Sequence, residues 1–270
     1  MEPFDLAVTR TLDSGVTPIA LKFQPVYDTE NSRPVGYRGR AYINSILYGV
    51  LTPEDYLAEA DGEEIGAEFA LRNIRYTLSC LDSCGTDSTS LRFVSLQCPT
   101  SLLQKDSLRG RLAHLAELAG AGTAGKICLE FGETALFAED EAVKKALADI
   151  RVAGYQTLFR NYGGPRFPMA SLVDLRPDWV LLPKETIALL EDREKASSVS
   201  AFVRFARSLG IEVVADGARD DGAIRELHSL ECNAYLPAPD YHGRQTVTCT
   251  EQELTTLLKE RGGQALGGTD

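Results

Sequence analysis

The side chains of this sequence that could do chemistry stand at the ends of short apolar runs. Lys126–Phe131 carries Glu130 and leads to Glu133, and Thr157–Phe159 leads into Arg160 and Asn161. Ile211–Ala215 leads into Asp216, and Leu91–Leu96 holds Ser95 and ends beside Gln97. Carboxylates and amides in such places can hold a hard cation and, through it, activate water for hydrolysis. Here arginine is mixed among them, and the set does not converge on a metal cage. Other chemistries are served less well. Cys80 and Cys84 lie four apart, with no second Cys or His pair nearby at zinc spacing. His114, His228 and His242 form no recognisable nucleophile–base arrangement, and neither GxGxxG nor GxxxxGKS/T occurs.

Composition excludes more. With 28 Lys plus Arg against 39 Asp plus Glu, the formal net charge of the 270 residues is −11. A pI near 4.9 argues against sequence-independent binding of nucleic acid or an anionic membrane, which needs clustered positive charge. Hydrophobic and charged fractions of 44% and 25% are those of an ordinary globular chain, so wholesale disorder is excluded. No apolar run approaches the roughly 20 residues of a membrane span. The first residues, MEPFDLAVTRTLDSG, lack the basic start and apolar stretch of a signal peptide. Six scattered cysteines without a secretion signal read as reduced thiols, and the expected location is cytoplasmic.

The elements that must position these side chains alternate along the chain. Strand candidates are Ile19–Tyr27, Leu91–Leu96, Lys126–Phe131, Thr157–Phe159, Trp179–Leu182, Ile211–Ala215 and Ala234–Leu236. Helical spacing predicts a helix over Ala142–Ala153 stopped by Gly154, and another over Ser198–Leu209 with Ser198 as N-cap and Gly210 as terminator. Strands alternating with helices imply parallel βα units, and seven or eight such units suit a (βα)8 barrel, with an open doubly wound sheet as the alternative. Residues 1–15 read as a loose leader, 16–260 as one barrel domain and 261–270 as a flexible tail. The acidic stretch Thr52–Glu68, which contains no Lys or Arg, reads as a solvated helix face, or else as a docking surface for a basic partner. Trp179 reads as core.

Six fragments in order carry a resemblance: FQPVYD (Phe23–Asp28), VGYRGRA (Val35–Ala41), ICLEFGETAL (Ile127–Leu136), RNYGG (Arg160–Gly164), PDWVLLPK (Pro177–Lys184) and VVADGARD (Val213–Asp220). Over about residues 20–260 the chain resembles the EAL domain, a family of cyclic di-GMP phosphodiesterases. The resemblance implies an α/β fold, a TIM-like barrel whose first strand runs antiparallel to the others. In active members, carboxylates and an Asn hold one or two divalent cations, and a metal-bound water attacks the phosphodiester.

Against that pattern this sequence departs at most catalytic positions. The Glu-Ala-Leu signature reads Arg38-Gly39-Arg40, the Asn reads Ser95, and the metal-binding Asp pair reads Arg160-Asn161. The catalytic Lys falls at Leu181, the Asp after it at Pro183, and a Glu is shortened to Asp216 with Arg219 three residues on. Glu130 is kept, and Gln24 and Pro25 match at a place near the substrate. The resemblance therefore implies a vestigial cleft of Gln24, Arg38, Arg40, Ser95, Glu130, Arg160, Asn161 and Asp216, with no catalytic residue, bound metal or cofactor. The arginines read either as ion-pair partners of Glu130, Asp216 and their neighbours, or as cationic seats for a dinucleotide phosphate or a partner's carboxylate. The implied function is a catalytically inactive regulatory module acting through contact with another protein. The alternative is a receptor that binds cyclic di-GMP without metal, and an active phosphodiesterase is the third reading. A homodimer through the helical region after the Arg160–Gly164 loop is a further expectation, with no nucleic acid or membrane as partner.

Overall fold

The apolar runs close into a barrel. In the computed structural model, which describes residues 19–45, 49–61, 63–84, 91–137, 140–192, 194–241 and 249–266, eight strands form the wall. They are β1 (Ile19–Asp28), β2 (Pro34–Ser45), β4 (Phe93–Gln97), β5 (Ile127–Phe131), β6 (Gln156–Phe159), β7 (Trp179–Leu182), β8 (Glu212–Ala218) and β9 (Ala234–Pro237). Two short strands, β3 (Gly49–Leu51) and β10 (Cys249–Thr250), extend β2 and β1. The order β1-β9-β8-β7-β6-β5-β4-β2 is closed by pairing of β1 with β2. β1 runs antiparallel to both of its barrel neighbours, and the other wall strands pair in parallel. This is the barrel anticipated from the sequence, not the open sheet. The proposed leader lies outside the described residues, as do 267–270; the last helix, Glu251–Leu266, runs past Arg261.

All seven strand candidates appear, with ends shifted by at most three residues. β2 was not among them, because two glycines and two arginines in PVGYRGRAYINS hide its alternation. Tyr37, Ala41 and Ile43 face the helices in the main core, while Arg38 and Arg40 take the alternate, inward positions. Gly39, between the arginines, also faces outward. A Cβ there would stand 2.6 Å from Leu96 Cδ2 on β4 and 3.2 Å from Phe23 Cε1 on β1, so a side chain at this position would crowd the outward residues of both neighbouring strands.

Inside the barrel a second apolar cluster forms the floor: Val26, Phe93, Cys128, Leu158, Trp179, Leu181, Val214, Ala234 and Leu236. Trp179 sits here as core, its ring 4.6 Å from that of Phe93 and its indole N–H donating to Gln156 Oε1 at 2.7 Å. Going up from this floor, the inward positions turn polar at Arg38, Ser95, Glu130 and Asp216.

The helix over Asp140–Val152 begins two residues before its predicted start, and Gly154 follows it with φ +93°. The helix predicted from Ser198 begins at Ala196, whose N–H donates to the Asp192 carbonyl at 2.8 Å. Ser198 is therefore inside the first turn and does not cap it. Gly210 ends this segment with φ +77°.

The acidic stretch is largely solvated, with Glu54, Asp55, Glu63 and Glu64 exposed, but it is more than a bare face. Its carboxylates fasten elements together: Glu54 to Arg40, Glu64 to Lys105 at 2.8 Å, and Glu68 to Arg111. Asp61 accepts from the backbone N–H and hydroxyl of Thr100 at 2.8 and 2.9 Å, and from the Thr134 hydroxyl at 2.8 Å.

Candidate functional site at the barrel mouth

The carboxyl ends of the parallel strands bring the polar inward residues to one rim. Arg38 on β2 lies opposite Gln24 on β1 and Ser95 on β4. Its guanidinium meets Glu130 side on: Nη2 donates to Oε1 at 2.6 Å and Nε to Oε2 at 3.0 Å. The remaining arm, Nη1, donates to Asp216 Oδ2 at 3.2 Å. Ser95 Oγ adds a contact to Glu130 Oε2 at 3.3 Å and Gln97 Nε2 a long one to Oε1 at 3.5 Å. Glu130 is 1% exposed and Arg38 11%, so this is a buried bidentate pair with a third carboxylate contact.

Electrostatics follow from the burial. Desolvation opposes charge on both partners, but their mutual attraction prevails: Glu130 is held below the usual carboxylate range and Arg38 is raised further above its own. Asp216 behaves differently. Burial pushes its carboxyl up, and although Arg38 pulls it down, Glu130 beside it adds to the rise. Its position depends on an irregularity in β8, where the register with β9 shifts between Asp216 and Ala218 and Gly217 takes φ +90°. A side chain at Gly217 would also press on Lys184 Cβ at 3.0 Å.

Two further arginines reach the rim. Arg40 Nη2 pairs with the Glu54 carboxylate, while its buried Nε has no hydrogen-bond partner among the described residues. Arg160, following β6, packs over Gly132, with Nη2 3.2 Å from where a Cβ would stand. It makes no carboxylate contact among the described residues, and its Nε too is buried without a partner. Gln97 Oε1 is the third such atom.

Of the residues singled out in the sequence, Arg38, Ser95, Glu130 and Asp216 are in mutual contact. Gln24 stands beside them, and among the described residues its side-chain amide reaches the Pro237 carbonyl at 3.5 Å. Arg40 and Arg160 flank the cluster. Asn161 does not join it: at φ +62° it is exposed and donates to the Glu133 carboxylate. Gln97, noted at a strand end but not placed in the cleft, and Glu54 also belong to the site. Gln97 was legible as the next inward position after Ser95, whereas Glu54 comes from a separate helix, Pro53–Ala60, and only the fold brings it in.

A hard dication does not fit this donor set. Such ions take six or more oxygens with net negative charge. Here both oxygens of Glu130 and one of Asp216 face a guanidinium, and no cluster of three or more Asp, Glu, His or Cys suited to a metal occurs among the described residues.

Comparison with known proteins accords with the fold. A protein of Azorhizobium caulinodans is 20% identical over 240 residues, covering 85% of this chain; the chain spans about a third (32%) of that relative's length. Among solved structures, the EAL enzyme Bd1971 with cAMP and cyclic di-GMP bound superposes with a TM-score of 0.80 at 16% identity, over 96% of this chain and 69% of that one. The PaMucR phosphodiesterase in complex with cyclic di-GMP gives 0.72 at 19% identity, over 92% and 98% of the two chains. The EAL domain family profile matches residues 9–236, and with the antiparallel first strand and the Glu130 rim already in place, the chain belongs to the EAL domain family.

Proposed function

We propose that this EAL domain does not hydrolyse cyclic di-GMP and works as a regulatory module through contact with another protein. The observation that supports this most strongly is the Arg38 guanidinium seated between Glu130 and Asp216. Metal-assisted hydrolysis needs a dication to lower the pKa of a water and to neutralise the developing charge on phosphate. A guanidinium supplies positive charge but no coordination site, and it occupies the oxygens that a metal would use. Leu181, where the family resemblance puts a Lys, is part of the apolar floor, so the losses extend beyond the metal ligands. With the carboxylates closed on arginine, what remains for signalling is the outer surface and the rim.

Incubating the purified chain with cyclic di-GMP and magnesium or manganese, and resolving the products chromatographically, tests this reading. No linear dinucleotide above the buffer rate is expected, whereas metal-dependent turnover abolished by Glu130→Gln would overturn it. A second reading, a receptor that binds cyclic di-GMP without metal, is favoured by the unpartnered Nε atoms of Arg40 and Arg160 at the rim. It also draws on the cyclic di-GMP held by the Bd1971 and PaMucR structures. Binding in the presence of a chelator, followed calorimetrically, separates it from the first.

A further inference from the structure

Outside the barrel, the helices Glu64–Ser83 and Asp106–Ala119 lie side by side and run in the same direction: Glu64 meets Lys105 at 2.8 Å and, one turn on, Glu68 meets Arg111. These ties close only the first part of the seam. Continuing at the same spacing, the first helix presents Arg72 and Tyr76, with Arg75 between them, and the second presents His114, Leu115 and Leu118. Acid runs out here. Glu68 gives both carboxylate oxygens to Arg111, Oε2 accepting from Nη2 at 2.7 Å, and neither Arg72 nor Arg75 has a carboxylate partner among the described residues. The seam opens instead into a groove of about 820 Å³ walled by both helices. Gly110 on the second helix helps to leave it open. Glycine inside a helix lowers its stability, yet a Cβ at this position would meet nothing within 4 Å, so no close packing asks for it.

Charge and apolarity together decide the occupant. The groove holds Arg72, Arg75 and Arg111 against Glu68 alone, a local cationic surplus in a chain of net charge −11. The groove on the other flank of the second helix has Arg109 and Lys145 against Asp106, Glu117 and Asp149, so the surplus is confined to one side. Beside the arginines stand apolar side chains in water, Leu118 at 72% exposure and Tyr76 at 48%. A free inorganic anion would match the charge and leave the leucine exposed. Nucleic acid or an anionic membrane needs a broader basic face and would be repelled by the rest of the chain. Arginine and tyrosine around an apolar anchor are what protein interfaces concentrate, and a groove between helices suits the apolar stripe of an amphipathic segment.

We propose that this groove docks an acidic, amphipathic segment of a partner protein, its carboxylates on Arg72 and Arg75 and an apolar side chain against Leu115 and Leu118. The groove lies in the outer helical layer and not at the strand ends, so the proposal stands whether or not the barrel mouth hydrolyses. Because the chain as a whole repels acid, the attraction is local, and added salt should weaken it.

The test follows the fluorescence anisotropy of a short labelled peptide, with Glu and Leu at helical spacing, as the full chain is added. Two counterparts carry Gln for Glu or Ala for Leu. Saturable binding of the first peptide is expected, with NMR amide shifts at Gly110 and Leu118, and weaker binding of both counterparts. The double variant Arg72→Gln/Arg75→Gln should lose about tenfold in affinity, the sum of two modest ion pairs. Gly110→Glu puts bulk and a carboxylate into the groove and should also weaken binding, without lowering the melting temperature, since Glu is the better helix former. Glu68→Gln releases Arg111 and should strengthen binding. Arg204→Gln, exposed on the helix Ala196–Ser208, should leave it unchanged, and thermal melts confirm that every variant folds. No saturation, equal binding of the Gln peptide, unchanged affinity in the double variant, or preference for phosphatidylglycerol vesicles over the peptide would overturn the site. None of these readouts involves turnover, so their failure is distinct from hydrolysis being found.

Discussion

Arg38 carries a positive charge into a part of the barrel that is sealed from below by Phe93 and Trp179, and it persists there because Glu130 meets it with both oxygens. Breaking one side of such a pair leaves a buried charge uncompensated. Arg38→Met should therefore destabilise the fold by about 3–5 kcal/mol in urea melts, and pairing it with Glu130→Leu should recover most of that loss. A double variant no more stable than the single one would show that the pair is not coupled as described. The two carboxylates should also differ in their pH dependence. Glu130 is held below its ordinary value near 4.5, so its contribution is complete at neutral pH and is lost as pH falls through the lower folded value. The destabilisation caused by Glu130→Gln should shrink correspondingly in acid. Asp216 is held above its ordinary value near 3.8, so ionising it disfavours the folded state as pH rises through the higher folded value. Asp216→Asn should be at least as stable as the parent at pH 7 and lose that advantage in acid. At this scale the sequence was partly informative: it left ion pairing and a ligand seat open for Arg38, Arg40 and Arg160, and the fold pairs Arg38 with Glu130 and Asp216 but gives Arg160 no carboxylate contact among the described residues.

Elements decide which of those residues meet. β2 escaped the sequence reading because its inward arginines and its glycines interrupt the alternation of apolar residues, although its outward Tyr37, Ala41 and Ile43 are ordinary strand core. Strand existence elsewhere was legible because the runs are mostly buried and apolar. Helix starts were less so: Ser198 has a capping residue's chemistry, but the Asp192 carbonyl closes the turn two residues earlier. The ties made by the solvated acidic stretch were hidden for a related reason. Composition along one segment cannot show that its partners, Arg40, Lys105 and Arg111, come from other elements. These ties are unequal. Asp61, which accepts from Thr100 and Thr134, joins the loop after β4 to the turn after β5, and Asp61→Ala should cost about 1–3 kcal/mol. The exposed Glu64–Lys105 pair should contribute less than about 1 kcal/mol. Equal losses in Asp61→Ala and Glu64→Ala melts would contradict this ranking.

Seen whole, the molecule carries an excess of acid and brings Arg38, Arg40 and Arg160 to the barrel mouth. A net charge of −11 would favour cations in general, so weak metal association with the surface carries no information about the site. What distinguishes the account is whether any tight cation site exists at the strand ends, where the EAL relatives and this chain share a barrel. The chain has the family's barrel, and in the proposed reading the side chains at its mouth do not serve hydrolysis, which is why fold and activity must be argued separately. The most direct measurement is a manganese titration followed by electron paramagnetic resonance, with and without cyclic di-GMP, on the parent chain and on Glu130→Gln. The account predicts only weak, non-saturating binding that is the same in both proteins. A saturable manganese site in the parent, lost in Glu130→Gln, would contradict it.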